Sequence, residues 1–290
     1  MKPDSRAGEQ LQRHLQPIET CGFDLLQEGV FYLMLDPMDA RPERFVAPRQ
    51  QGRRLANPLA RKFLNFRQLS RTDEEALDNA LERVQRIGSR EDIVQQGDAP
   101  RFVHVILEGW ACHYKHLQDG RRQITSLLLP GDLCDPPMFL LKTAGQSLGT
   151  LTAVTLARIP AETMQAITTQ SATLQECFWW DMLVRSEIQR EWTVSLGRRT
   201  ATERLAHLFC EISLRLKSAG MTNGVDCEFP VTQADLGDAM GLSTVHVNRS
   251  LQELRGGGLV GLRGKRLRIY NEESLRALAN FEPSYLHMNQ

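Results

Sequence analysis

The stretch Val231 to Val260, VTQADLGDAMGLSTVHVNRSLQELRGGGLV, constrains this chain more than any other part of it. It reads as two helices joined at a tight turn around Gly241, with a glycine stop behind the second. Thr232 stands where a cap would open the first helix, and Leu236 and Met240 lie four apart on its inner face. Gly241 supplies the bend, Leu242 fills the corner and Ser243 caps the second helix. There Val247, Leu251 and Leu254 recur at i, i+4 and i+7, the period of a helix with one buried face. The opposite side carries Val245, Asn248, Arg249 and Gln252, with Thr244 and His246 at its edges. An amide, a guanidinium and a small apolar group on one exposed helix face suit the reading of base edges in a major groove. The spacing predicts a helix-turn-helix.

Two amphipathic helices around a glycine also occur in all-α proteins that never meet DNA. The segment behind Gly256-Gly257-Gly258 separates the two cases. LVGLRGKRLRIY alternates apolar and polar residues about Gly264, which predicts a two-stranded hairpin. Arg263, Lys265, Arg266 and Arg268 cluster on it, while Leu259, Leu262, Leu267 and Ile269 supply its apolar positions. A charge run is usually a solvated face. A cationic hairpin directly behind a helix-turn-helix is better explained as a wing that clamps phosphates.

The formal net charge of the 290 residues is zero, so contact with DNA is expected on one local face. No apolar run approaches the ~20 residues of a membrane span, and the N-terminus lacks a signal-peptide core. Cys21, Cys112, Cys134, Cys177, Cys210 and Cys227 are scattered without a CxxC pair. They suggest reduced, buried thiols in a cytoplasmic protein, with no metal site and no cofactor.

The length suggests two cored domains. Residues 1–56 lack periodicity and are assigned as an extension of unknown role, although Phe23 to Leu35 holds a short apolar patch. Residues 57–170 form the first domain. A helix capped at Ser70 or Thr72 carries Leu77 and Leu81 on one face. From Val84 to Ala153 the pattern shortens to alternating segments such as Phe102 to Leu107 and Gln123 to Leu129. Turn signals at Gly97-Asp98, Glu108-Gly109, Asp119-Gly120 and Pro130-Gly131-Asp132 separate them. Short strands at that spacing indicate an antiparallel roll or barrel. A short helix is expected over Ala161 to Gln170, and one long helix over residues 171–199, free of Pro and of Gly before Gly197. Its stripe of Cys177, Trp180, Val184, Ile188, Trp192 and Leu196 would be ordinary core in most helices. Because this helix links two domains, Trp180, Val184, Ile188 and Trp192 are expected to meet a second copy of the chain. Residues 200–290 complete the chain, with Thr200 capping a helix whose Leu205, Phe209, Ile212 and Leu216 point inward. The fold class is therefore α+β: an antiparallel β-roll, a long dimerisation helix and a winged helix-turn-helix.

This order of parts resembles the Crp–Fnr family of bacterial transcription regulators, over roughly residues 57–285. The residues that carry the resemblance are RTATERLAHLF through RGKRLRIY, and QQGDAPRFVHVILEGWACHYKHLQDGRRQITSLLLPGD in the roll. The resemblance implies a homodimer on a two-fold symmetric promoter site, contact with RNA polymerase, and a roll that couples a signal to helix placement. Arg249 matches the family's guanine-reading arginine, against the plainer reading of a surface pair with Glu253. Thr244, Val245 and Asn248 fall on variable recognition positions, Val245 where a glutamate is common. Ser243 and His246, with Arg263 and Lys265 of the wing, match phosphate-approaching positions.

The effector side departs from the family pattern. Cyclic-nucleotide binders present a glycine–glutamate segment and an arginine–serine pair to the ligand. Here Asp135-Pro136-Pro137 replaces the first, and Ser147-Leu148 stands where the second would be. Without an arginine for the cyclic phosphate, its burial would be poorly compensated, so cyclic AMP is not expected to bind in the usual way. Asp135, Pro136, Pro137 and Ser147 are the residues that would line a pocket for some other effector, whose identity stays open. Cys21 alone cannot supply a four-thiolate iron–sulfur site. His104, His113 and His116 are expected as half-exposed strand residues, which argues against haem, and no carboxylate accompanies them at recognisable spacing, which argues against a cupin-like metal enzyme.

Overall fold

The computed structural model describes residues 57–288 apart from 82, 135–139 and 223–225. The extension over residues 1–56, with Cys21 and the Phe23 to Leu35 patch, lies outside the described residues, as do Asp135, Pro136 and Pro137.

Two helices lead into the roll. α1 (Pro58–Phe63) starts at Asn57, whose side chain accepts from the backbone of Leu59 and Ala60. α2 (Arg71–Ala80) opens on Ser70 with a full capping box to Asp73, which fixes the cap at Ser70 rather than Thr72. The roll comes next, in eight strands: β1 (Val84–Ile87), β2 (Asp92–Val94), β3 (Phe102–Glu108), β4 (Ala111–His116), β5 (Arg122–Leu128), β6 (Leu133–Cys134), β7 (Ser147–Thr150) and β8 (Val154–Pro160). They form two antiparallel four-stranded sheets, ordered β1-β8-β3-β6 and β2-β7-β4-β5. Val105, Leu133, Ala157 and Ile159 of the first sheet are buried against α1, α2 and α3 (Ala161–Gln170). The strand histidines divide unevenly. His104 and His113 are buried and His116 exposed, so the expectation of half-exposed side chains fails for the first two. Among the described residues no three His, Cys, Asp or Glu side chains come together to hold a metal ion.

α4 (Ala172–Arg198) is the long helix, capped by Ser171. Its stripe does not face outward. Val184, Ile188 and Trp192 are buried in the core that the chain builds itself, and Trp180 is partly buried, packed against that core and stacked 5.2 Å from Phe66. Trp192 donates its indole N–H to Glu211 at 3.0 Å, inside the molecule. The expectation that Trp180, Val184, Ile188 and Trp192 meet a second copy is thereby corrected, because roll and C-terminal helices already cover that side. The large apolar groups left exposed on α4 are Trp179, Met182, Leu183 and Val194, with Trp179 at 61% and Leu183 at 60%. At 100° per residue they lie on the side opposite the buried stripe.

The C-terminal part comprises α5 (Ala201–Ser218), β9 (Asp226–Glu228), α6 (Gln233–Met240), α7 (Thr244–Gly256), β10 (Val260–Arg263), β11 (Arg266–Ile269) and α8 (Glu272–Ala279). α5 begins with a Thr200–Glu203 capping box and buries Leu205, Phe209, Ile212 and Leu216. The core is continuous with the roll: Trp110 meets Phe229 edge-on at 5.7 Å, and Phe229 meets Phe209 at 5.4 Å. Beside it runs an ionic chain. Lys62 pairs with Asp132 at 2.7 Å and with Asp181, and Arg215 pairs with Asp132 at 2.6 Å and with Glu211 at 3.1 Å. Burial alone would raise the Asp132 carboxyl, but the Lys62 and Arg215 charges hold it well below the usual carboxylate range. No helix among the described residues is long and apolar enough to cross a membrane.

Candidate nucleic-acid interface

Local chemistry shapes the reading head. Thr232 caps α6 through a box with Asp235, and Gly241 ends the helix in the left-handed region at φ 64°. A side chain there would be strained. Gly237 is needed for closeness: a Cβ would stand 2.6 Å from the Leu242 carbonyl oxygen, so the turn folds back directly on α6. Ser243 then caps α7 by accepting from the His246 N–H.

On α7 the buried positions are Val247, Ser250, Leu251 and Leu254. Thr244, Val245, His246, Asn248, Arg249 and Gln252 are all exposed, Val245 at 75%. The structure thus brings the expected reading residues onto one solvent face. The Arg249 side chain is 79% exposed, with Nε 3.9 Å from Glu253 Oε1. So long and exposed a pair contributes little and leaves the guanidinium free to move. Glu253 is held from behind instead, since Thr202 Oγ1 donates to it at 2.5 Å. Asn248 Nδ2 donates to Gln233 Oε1 at 3.4 Å, and the Ser243 hydroxyl lies 3.0 Å from His246 Nδ1.

The wing has a third strand. β10 pairs with β11, and β11 pairs with β9, which the spacing of apolar residues did not reveal. Gly264 at φ 59° and Lys265 at φ 60° form the two-residue turn, a geometry that matches the twist of the strands beside it. Phe229 N–H donates to the Lys265 carbonyl at 2.8 Å, and Arg255 donates to the Leu262 carbonyl at 2.8 Å. The first bond ties the turn to the chain just after β9, and the second ties the wing to α7. Arg263, Lys265 and Arg266 are exposed. Arg268 differs from the cluster expected of it: its Nε reaches Asp226 Oδ1 at 2.6 Å and a second nitrogen reaches Oδ2, so its charge is spent on β9. That pairing of residues 42 apart carries no sequence signal.

On the effector side, Ser147 is buried and its hydroxyl accepts from the Gln96 N–H at 3.0 Å. A cavity of about 390 Å³ lies between β4–β5 and α4, lined by His113, Thr125, Ser126, Gln146, Ser186 and Gln189 among others.

Two family models match this chain: the Crp-like helix-turn-helix domain over residues 203–278, and the cyclic nucleotide-binding domain over residues 84–171. In both domains the chain is of the Crp–Fnr type. The transcriptional activator protein FnrL of Cereibacter sphaeroides is 27% identical over 203 residues, covering 68% of this chain and 81% of that one. The fumarate and nitrate reduction regulatory protein of Escherichia coli K12 is 24% identical over 211 residues, 73% of this chain and 84% of that one. The fold is shared with FixK2 of Bradyrhizobium japonicum at a TM-score of 0.60 and 23% identity, over 67% of this chain and 96% of that one. It is shared with the regulator CLP of Xanthomonas campestris at 0.56 and 19%, over 70% and 100%. This Crp–Fnr chain is a transcription regulator with a DNA-binding helix-turn-helix.

Proposed function

We propose that this Crp–Fnr regulator works as a homodimer in the cytoplasm, places one α7 per subunit in successive major grooves of a two-fold symmetric site, and answers to no cyclic AMP. The observation that carries it is the α7 face itself, where Thr244, Val245, Asn248 and Arg249 stand together in solvent over a fully buried inner face. Arg249 would pair with O6 and N7 of a guanine, Val245 would touch a thymine methyl and Asn248 an adenine edge. Ser243, His246, Arg263 and Lys265 would hold phosphates. Trp179, Met182, Leu183 and Val194 of α4 offer the second copy an apolar face of their own. RNA polymerase is the further partner that the family implies. The domain limits proposed are 57–170, 171–199 and 200–290.

The test is selection of genomic fragments by the purified protein. A palindrome with half-sites one helical turn apart supports the reading; fragments without symmetry count against it. Cyclic AMP at saturation should leave the affinity unchanged. The cavity between β4–β5 and α4 favours a second reading, in which another small molecule settles there and gates the DNA contact.

A further inference from the structure

The reading head meets the roll through a group of charges that base reading does not use. Asp235, in the first turn of α6, has a side chain only 1% exposed. Arg90 reaches its Oδ1 and Oδ2 at 2.6 and 2.7 Å, and Arg122 Nη2 reaches Oδ1 at 2.7 Å. Three residues along, Asp238 Oδ2 accepts from Arg122 Nε at 2.8 Å. Gln123 Nε2 donates to the Ala239 carbonyl at 3.1 Å, so α6 is gripped from its first turn to its last.

Helix capping does not account for this. The Thr232 N–H and hydroxyl use Asp235 Oδ2 alone, whereas both arginines converge on Oδ1, with Arg90 reaching Oδ2 as well. Asp238 belongs to no cap. Arg90 makes its contact from φ 66°, a left-handed conformation that costs a residue with a Cβ energy and persists only where its surroundings hold it. Burial would raise the Asp235 carboxyl, yet the Arg90 and Thr232 hydrogen bonds hold it well below the usual carboxylate range. With this contact closed Val245, Asn248 and Arg249 remain exposed, so it leaves the DNA face open.

We infer that Arg90 and Arg122 form an ionic latch on Asp235 and Asp238 that fixes the helix-turn-helix against its own roll and pre-organises it for DNA. The inference rests on the DNA-binding reading proposed above. An ion pair of this kind adds little stability over an apolar contact, but a bidentate one is directional. A head already oriented loses less freedom on binding. Both arginines stand on the roll, Arg90 in the β1–β2 turn and Arg122 at the start of β5, so a shift of either strand moves the head with it.

The test uses the full chain and a DNA fragment selected by the wild type. Arg90→Ala with Arg122→Ala should lower affinity for that fragment about tenfold, as an unoriented head must be ordered on binding. It should also speed amide hydrogen exchange across α6 and α7. Arg122→Asp alone should weaken binding, and adding Asp238→Arg should restore most of it, a recovery that misfolding would not produce. The latch is overturned if the double alanine variant binds as tightly as the wild type or more tightly. A reversed pair as weak as Arg122→Asp alone overturns it too. If the wild type binds no duplex, the DNA reading is what fails, and exchange in α6 and α7 still decides the latch: unchanged protection in the double variant rejects it.

Discussion

On the function proposed, single side chains divide the work on DNA between specificity and grip. Arg249 extends from a helix whose inner face is locked, so its guanidinium is delivered at a fixed place while staying exposed. Arg249→Ala should cost about 1–3 kcal/mol at the selected site and relax discrimination at one base position, measured by titration against single-base variants. An equal loss on a random duplex would contradict base reading. Lys265 sits on a turn pinned by the Phe229 N–H, and its exposed side chain pairs with no carboxylate among the described residues. Lys265→Ala should weaken both kinds of duplex and lower the salt slope by about one unit. His207 concerns stability rather than binding. It is buried between Phe281 and Tyr285, and burial, helped by the Arg199 charge, pushes its imidazole down to about 3. Glu191 lies 3.3 Å away, but Arg199 already pairs with that carboxylate at 2.6 Å, so it offers His207 little compensation. An unfolded histidine titrates near ~6.5, so below that pH the unfolded chain takes up a proton that the folded one refuses. Stability is therefore complete above pH ~6.5 and falls as the pH drops towards ~3, by on the order of 4 kcal/mol over the window. Denaturant titration at pH 7 and pH 5 should show about half of that loss, about 2 kcal/mol, and His207→Phe should remove most of it.

At the scale of elements, α4 carries two apolar faces, one buried and one exposed. Its apolar spacing was legible, since Val184, Ile188 and Trp192 do form a stripe; the partner that covers the stripe was not. Periodicity reports that a face is buried and cannot report by what. The neighbours of these residues come from α5 and the roll, and Leu208, Phe209 and Leu127 belong to the same core. Ile188→Asp should therefore lower stability by several kcal/mol in a denaturant titration, through an unpaired buried charge. Leu183→Asp should instead yield a folded monomer in sedimentation, with the melting temperature at low concentration preserved. A dimer that survives Leu183→Asp would place the interface elsewhere. The wing shows the same limit. Its hairpin and basic turn could be read from LRGKRLRI, but β9 pairs across a gap in sequence, and Arg268 is turned from a phosphate ligand into a partner of Asp226.

For the molecule as a whole, roll and reading head share one core rather than hanging on a flexible joint. Trp110 belongs to the roll and is almost fully buried against Phe229 of the C-terminal part. Trp110→Ala should cost about 3–5 kcal/mol and, if the two parts are coupled as packed, separate a single calorimetric transition into two. One unbroken transition at lower temperature would mean that the parts unfold together without this contact.

What the sequence determined by itself is whatever depends on near neighbours in the chain. The caps at Ser70, Thr200 and Thr232, the left-handed turn at Gly241, the alternation of the strands and the inward and outward faces of α7 are of this kind. Each is a choice settled within four or five residues, and the order of these elements was enough to bring the Crp–Fnr family into view. Only tertiary structure decided which surface of α4 stays in water, that His113 is buried, and that Asp235 meets Arg90 and Arg122. The last of these joins residues more than a hundred positions apart, 113 for Arg122 and Asp235 and 145 for Arg90 and Asp235. Burial and charge pairing are properties of what surrounds a side chain, and the surroundings exist only after the chain has closed on itself.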